Sequence, residues 1–142
     1  MYYIGIDISK FKHDCVVIDD LGEIVTPSWS FTNDSEGFSQ LKILLDSLDA
    51  ETRIGLESTG HYGMNLKLFL ESNNFSFMEF NPLLINRFVK SKSLRKTKSD
   101  SIDCMMIARY LMTVEYKPYP PLLYHIEKLK SPLRNSITYF AL

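Results

Sequence analysis

The sequence predicts an α/β domain, a five-stranded mixed sheet with helices on its faces. Three observations carry this. The N-terminal part holds three short runs rich in Ile, Val and aromatic residues, joined by turns that bear Asp and Gly. After them, strand-like and helix-like patterns alternate, which calls for crossovers onto parallel strands. Two of the strands also share one local pattern, Ile4-Gly5-Ile6-Asp7 and Ile54-Gly55-Leu56-Glu57.

In order, YYIGIDIS at 2–9 alternates as a strand, CVVID at 15–19 is the second, and EIVTPSWSF at 23–31 is the third. Pro27 lacks an amide hydrogen, so the third strand belongs at an edge or is bulged there. Asn33 or Ser35 is positioned to cap a helix in which Phe38, Leu41, Leu44, Leu45 and Leu48 recur at helical spacing. TRIGLE at 52–57 is a buried strand, and STGHYG turns into a helix carrying Met64, Leu66, Leu68, Phe69 and Leu70. FSFMEF at 75–80 is the fifth strand, stopped by Asn81-Pro82. A short helix from Pro82 to about Val89, a basic stretch, and a helix from about Ser99 to Thr113 complete the order βββαβαβαα. Lys-Pro-Tyr-Pro-Pro from Lys117 breaks regular structure. The expected organisation is therefore a domain over 1–116 and, over 117–142, a Pro-containing linker with the start of a helical region.

With 142 residues, 45% hydrophobic and 23% charged, the chain has the size and composition of one globular domain. Cys15 and Cys104 have no metal-ligand spacing and read as buried small hydrophobes in a reducing compartment. No apolar run suits a membrane span, so a cytoplasmic protein is expected. The net charge of −1 gives no hint of nucleic acid. Its distribution does: Arg87, Lys90, Lys92, Arg95, Lys96 and Lys98 fall in one stretch with no intervening acid. Lysines and arginines spread along such a segment suit phosphate-backbone contacts, which give affinity with little base readout.

The acids carry the chemistry. Side chains two apart share a strand face, so Asp7 and Glu57 each lie beside a glycine, with Ile4, Ile6, Ile54 and Leu56 opposite. The glycines are expected to leave open space before each acid. A carboxylate on a central, helix-covered strand needs a cation or a hydrogen-bonded base. Asp100 and Asp103, three apart, are expected on one helical face that continues through Met106, Ile107 and Tyr110 onto the sheet. Four such oxygen ligands point to Mg²⁺ or Mn²⁺ and to phosphoryl transfer. Each acid has an ordinary alternative. Asp7 can pair with Lys10 or Lys12, Glu57 can cap the next helix, and Asp100 can be an N-cap with Asp103 in the first turn.

GIDISK, LESTGHYG, Asn81-Pro82 and RKTKSDSIDCMMIAR, in this order over about residues 2–115, resemble the N-terminal domain of the DEDD insertion-sequence transposases. That group includes Piv-like DNA invertases and bridge-RNA-guided recombinases. The resemblance implies an RNase H-like (RuvC-like) fold and a nuclease-type catalytic domain acting in transposition or site-specific recombination. It places the four metal-binding, catalytic carboxylates on Asp7, Glu57, Asp100 and Asp103. DNA is the implied partner, with a guide RNA and a homo-oligomeric full-length protein as further partners. The family's compact Lys-Thr-Asp-x-x-Asp-Ala is altered here, because Lys98-Ser99 separates Lys96-Thr97 from Asp100 and Cys104 replaces the alanine. Relatives also carry a second domain with a glycine-rich motif and a catalytic serine. No glycine follows Gly63, so that domain is expected to be absent and the chain to need more than itself for recombination. Two other functions fit parts of the pattern: a non-catalytic nucleic-acid-binding remnant, and an RNase H-like ATPase or sugar-kinase half-domain.

Overall fold

The structure, a computed structural model, describes residues 1–57, 60–92 and 102–118. Strands β1 (Tyr2–Ile8), β2 (Lys12–Asp19) and β3 (Ile24–Thr32) form the antiparallel meander. Helix α1 (Ser35–Ser47) leads to β4 (Thr52–Glu57), which lies parallel to β1. A 3₁₀ turn (Gly60–Gly63) and α2 (Met64–Ser72) return the chain to β5 (Met78–Phe80), parallel to β4. Helices α3 (Pro82–Ser91) and α4 (Cys104–Leu111) follow. The strand order β3-β2-β1-β4-β5 makes the predicted five-stranded mixed sheet.

Period-2 patterning decides which helices cover which face. Ile4, Ile6, Ile8, Ile54 and Leu56 point into a core with Phe38, Leu41 and Leu45 of α1 and Leu66, Phe69 and Leu70 of α2. Tyr3, Val16 and Ile18 point the other way, into a core with Ile85 and Val89 of α3 and Ile107, Ala108 and Leu111 of α4. The two layers therefore share the same strands, and burial on both sides fixes the register.

Pro27 acts as expected. It lies on β3, an edge strand, and the register there slips by one residue: Cys15 faces Trp29, yet Val17 faces Thr26.

Several boundaries differ from the sequence expectation for local reasons. Strand β2 begins at Lys12 because the β1–β2 turn is tight and Ile8 pairs with His13. The cap of α1 is Asp34, between the two expected residues; its carboxylate accepts from the Gly37 amide at 2.9 Å. Strand β5 starts only at Met78, although Phe77 is buried in the α1–α2 layer. Helix α4 starts at Cys104, after an extended Asp103 that caps it. Residues 117 and 118 are irregular, and the segment expected to form a linker and a helical region otherwise falls outside the described residues. Among the described residues no helix is long and apolar enough to cross a membrane.

Candidate functional site

In register, Gly5 pairs with Gly55, one strand over. Asp7 and Glu57 stand two residues further along, at the carboxyl ends of two adjacent parallel strands. Helix α4 lies directly on the glycines. A Cβ at Gly5 would sit 2.1 Å from the Cys104 carbonyl oxygen and 2.6 Å from the Ala108 amide nitrogen. A Cβ at Gly55 would meet Phe80, Leu111 and Ile107. The expected open space before the acids is thus occupied: the missing side chains let the helix approach the sheet. The stripe that packs is Cys104, Ile107, Ala108 and Leu111, with Met106 and Tyr110 only partly buried at its flank.

This approach brings the N-terminus of α4 to the acidic end of the sheet. Asp103 caps the helix, its Oδ1 accepting from the Met106 amide at 2.8 Å. Asp103 has extended backbone and sits outside the helix, so it shares no helical face with Asp100 as had been expected. The residue competes better as a cap than as a first-turn acid because its carboxylate satisfies an amide that the helix leaves unbonded. Asp100 lies outside the described residues.

The β1–β2 register adds a residue that the sequence reading missed. Asp14 pairs across the strands with Asp7, on the same face, and its Oδ1 accepts a hydrogen bond from the Ser30 hydroxyl on β3. Its signal was the turn length. A hairpin in which Ile8 pairs with His13 across residues 9–12 sets residue 14 opposite residue 7, whereas a strand started at Cys15 hides the pairing.

A row of like charges results. Burial first, then repulsion from Glu57, Asp14 and Asp103, push the Asp7 carboxyl up to about 6. Among the described residues, Lys10 and Lys12 form no ion pair with Asp7. The ion pairs found there are Lys42–Asp46, Lys67–Glu79 and Lys117–Glu115. The sign and excess of charge suit a hard cation, and oxygen donors are its preferred ligands. Tight closure is a separate matter: among the described residues no three His, Cys, Asp or Glu side chains gather into a group able to hold a metal ion.

Of the basic residues, Arg87, Lys90 and Lys92 are exposed on α3 and at its C-terminal end, on the side of the sheet that carries α4. The Lys92 ammonium lies 5.9 Å from the Phe88 ring, which packs on Tyr110. Arg95, Lys96 and Lys98 lie outside the described residues. His61 is exposed in the 3₁₀ turn against the Tyr62 ring. Both cysteines are buried and unoxidised, with Cys104 Sγ 3.4 Å from the Ser28 hydroxyl.

The same stretch of sequence matches known proteins. Over 112 residues, 76% of this chain, it is 33% identical to the pilin gene-inverting protein of Moraxella bovis and equally to that of Moraxella lacunata. Over 115 residues it is 27% identical to a protein of Streptomyces coelicolor described as a mini-circle transposase candidate for IS117. The aligned part is 33%, 33% and 27% of those proteins, so the chain spans about a third of the length of the curated relatives it matches. A family model for DEDD transposases of the IS110 type, described as a transposase, matches residues 4–138. On this match the chain belongs to the DEDD transposase family, and its five-stranded mixed sheet with flanking helices is that family's RuvC-like, RNase H-like fold.

Proposed function

We propose that this chain provides the carboxylate centre for phosphodiester chemistry on DNA in transposition or site-specific recombination, with Asp7, Glu57, Asp100 and Asp103 as ligands of Mg²⁺ or Mn²⁺. The observation that carries the reading is a placement. Two paired parallel strands end in Asp7 and Glu57 on the face where α4 delivers Asp103. A relative named for pilin gene inversion points to rearrangement of DNA as the process.

When bound, the ion supplies charge for the attacking and leaving oxygens of the phosphate. The chain's own residues prepare the place. Gly5 and Gly55 admit the helix, the helix carries Asp103 towards the strand ends, and Ser30 orients Asp14 beside Asp7. Arg87, Lys90 and Lys92, continued by Arg95, Lys96 and Lys98, hold the DNA backbone, and in this reading Lys96 reaches a phosphate or a neighbouring carboxylate. A guide RNA along that basic segment and a homo-oligomeric full-length assembly belong to the same proposal. Since the aligned part is only 33% of the pilin gene-inverting relative, strand exchange in this reading also uses parts of the full-length protein beyond these residues.

Calorimetric titration with Mn²⁺ tests it on the full chain. Wild type is expected to bind, and Asp7→Asn and Asp103→Asn each to weaken binding about ten-fold or more. Absence of binding, or binding indifferent to both substitutions, leaves a nucleic-acid-binding module without a metal centre. A gel shift at two salt concentrations with Lys90→Ala tests the basic segment; a salt-insensitive shift removes the phosphate contacts from the reading.

A further inference from the structure

Phe11 is 75% exposed at the tip of the β1–β2 turn. Tyr62, 37% exposed, projects from the 3₁₀ turn that follows Glu57. One side chain holds the two turns together. The Asn33 amide nitrogen donates to the Phe11 carbonyl at 2.9 Å, and its Nδ2 donates to the carbonyls of Lys10 and Tyr62 at 3.1 and 3.2 Å. The turn after Asp7 and the turn after Glu57 are thereby clamped side by side at the acidic end of the sheet. Lys10 and Lys12 are exposed in the same corner, with the Lys10 ammonium 5.1 Å from the Phe11 ring centroid.

We propose that this corner, Phe11 and Tyr62 with Lys10 and Lys12, is a binding surface for single-stranded DNA leading to the carboxylate row. Unpaired bases stack on the aromatic faces, and the lysines hold the phosphates between them. The combination argues for nucleic acid over protein. Aromatic rings interleaved with cations give base stacking plus backbone attraction, whereas a protein partner needs a continuous apolar patch, and here the apolar surface is two rings set among charges. An unpaired strand is the form that suits the ring faces, because duplex bases are already stacked on each other. The lysines also offset the local acidity that would otherwise repel a phosphate chain. This rests on the reading of the carboxylates as a DNA-processing centre, and it is separable from that reading by experiment.

The probe is a short oligothymidylate carrying one fluorescent aminopurine base, titrated with the full chain in EDTA, so that no metal is needed. Wild type is expected to bind and to quench the analogue. Phe11→Ala and Phe11→Leu are each expected to lose the quench and weaken binding about five-fold or more, since Leu keeps the apolar bulk without a π-face. Their melting temperatures and their duplex affinity are expected to match wild type, because the ring is exposed. Lys10→Ala is expected to lower the salt slope of binding by about one. The inference is overturned if wild type does not bind the oligomer, if Phe11→Leu binds and quenches as wild type does, or if duplex affinity falls equally. Mn²⁺ titration of the same proteins in buffer without EDTA keeps the two readings apart: wild-type metal binding with an indifferent Phe11→Leu sinks the stacking surface alone. Stacking without metal binding sinks the carboxylate centre alone.

Discussion

Glu79 and Asp7 are both carboxylates set into helix-covered faces of one sheet, and the protein treats them in opposite ways. Glu79 lies on the α2 side, where the Lys67 ammonium meets it at 2.7 Å with side chains only 8% and 15% exposed. Asp7 lies on the α4 side, and among the described residues the charged groups that act on it are Glu57, Asp14 and Asp103. One charge is neutralised within the fold. The other is surrounded by charges of its own sign, which raises the free energy of the ionised site in the absence of a cation. Among the described residues no lysine or arginine pairs with Asp7, so the contrast is between a carboxylate neutralised by its neighbour and one set among other acids.

Three substitutions on the chain alone can break this comparison, and the largest effect belongs to the neutralised side. Lys67→Met keeps most of the packing and leaves Glu79 buried without its cation, which is expected to cost about 3 kcal/mol in urea unfolding. Lys67→Met combined with Glu79→Leu is expected to recover most of that loss, because an apolar pair needs no desolvation of charge. A single variant as stable as wild type would mean that the pair is wet and the contrast with Asp7 is spurious. Gly5→Ala comes next. Its Cβ would lie 2.1 Å from the backbone oxygen of Cys104, so α4 has to shift as a body, at an expected cost of about 2 kcal/mol. Because the helix carries Asp103, the same variant is expected to bind Mn²⁺ more weakly than Gly5 wild type.

Those glycines show how much of the site could be read from the sequence. The matching Ile-Gly-x-acid patterns put Asp7 and Glu57 on one face because strand periodicity is local, and the structure agrees. What the glycines were for was not legible. An open space and a helix pressed against the backbone leave the same residue type, and only the tertiary contact with Cys104 and Ala108 separates them. Asp14 was invisible for a related reason: its place depends on the register across the β1–β2 turn, which a strand begun three residues late conceals. The start of α4 was misplaced because the stretch Ser99–Asp103 offers several polar capping residues, and local propensity does not choose among them. Pro27, by contrast, was readable, since a missing amide hydrogen restricts any strand to an edge or bulge whatever its partner.

The raised carboxyl at Asp7 gives a prediction with a definite sign. Its ordinary value is 3.8 and its folded value about 6, so the folded chain takes up the proton more readily than the unfolded one. The stability linked to that proton is fully present below pH 3.8 and is lost as pH rises through 6. In EDTA at pH 7, Asp7→Asn is therefore expected to be more stable than wild type by about 1–2 kcal/mol, after allowing for solvent screening of a half-buried group. At pH 4 the two are expected to unfold together. Mn²⁺ is expected to reverse the order at neutral pH by stabilising wild type alone. A variant less stable than wild type at neutral pH without metal would show that Asp7 has a favourable partner, and the contrast with Glu79 would fall.

Asp103 sharpens the comparison furthest, although its effect on stability is the smallest, because it serves the helix and the acidic row at once. Its Oδ1 caps α4 through the Met106 amide, a bond that asparagine makes about as well as aspartate. Asp103→Asn is accordingly expected to melt within a few tenths of a kcal/mol of wild type, while Asp103→Ala loses the cap and about 1 kcal/mol. Metal affinity sorts the two variants differently, since both remove the charge and both are expected to weaken Mn²⁺ binding. If Asp103→Asn binds the ion as wild type does, the residue is a helix cap that happens to lie near Asp7, and the acidic row is shorter than the sequence motif implies. If the amide variant keeps its stability and loses the ion, the carboxylate is there for its charge, and the cap is the device that points it at the strand ends.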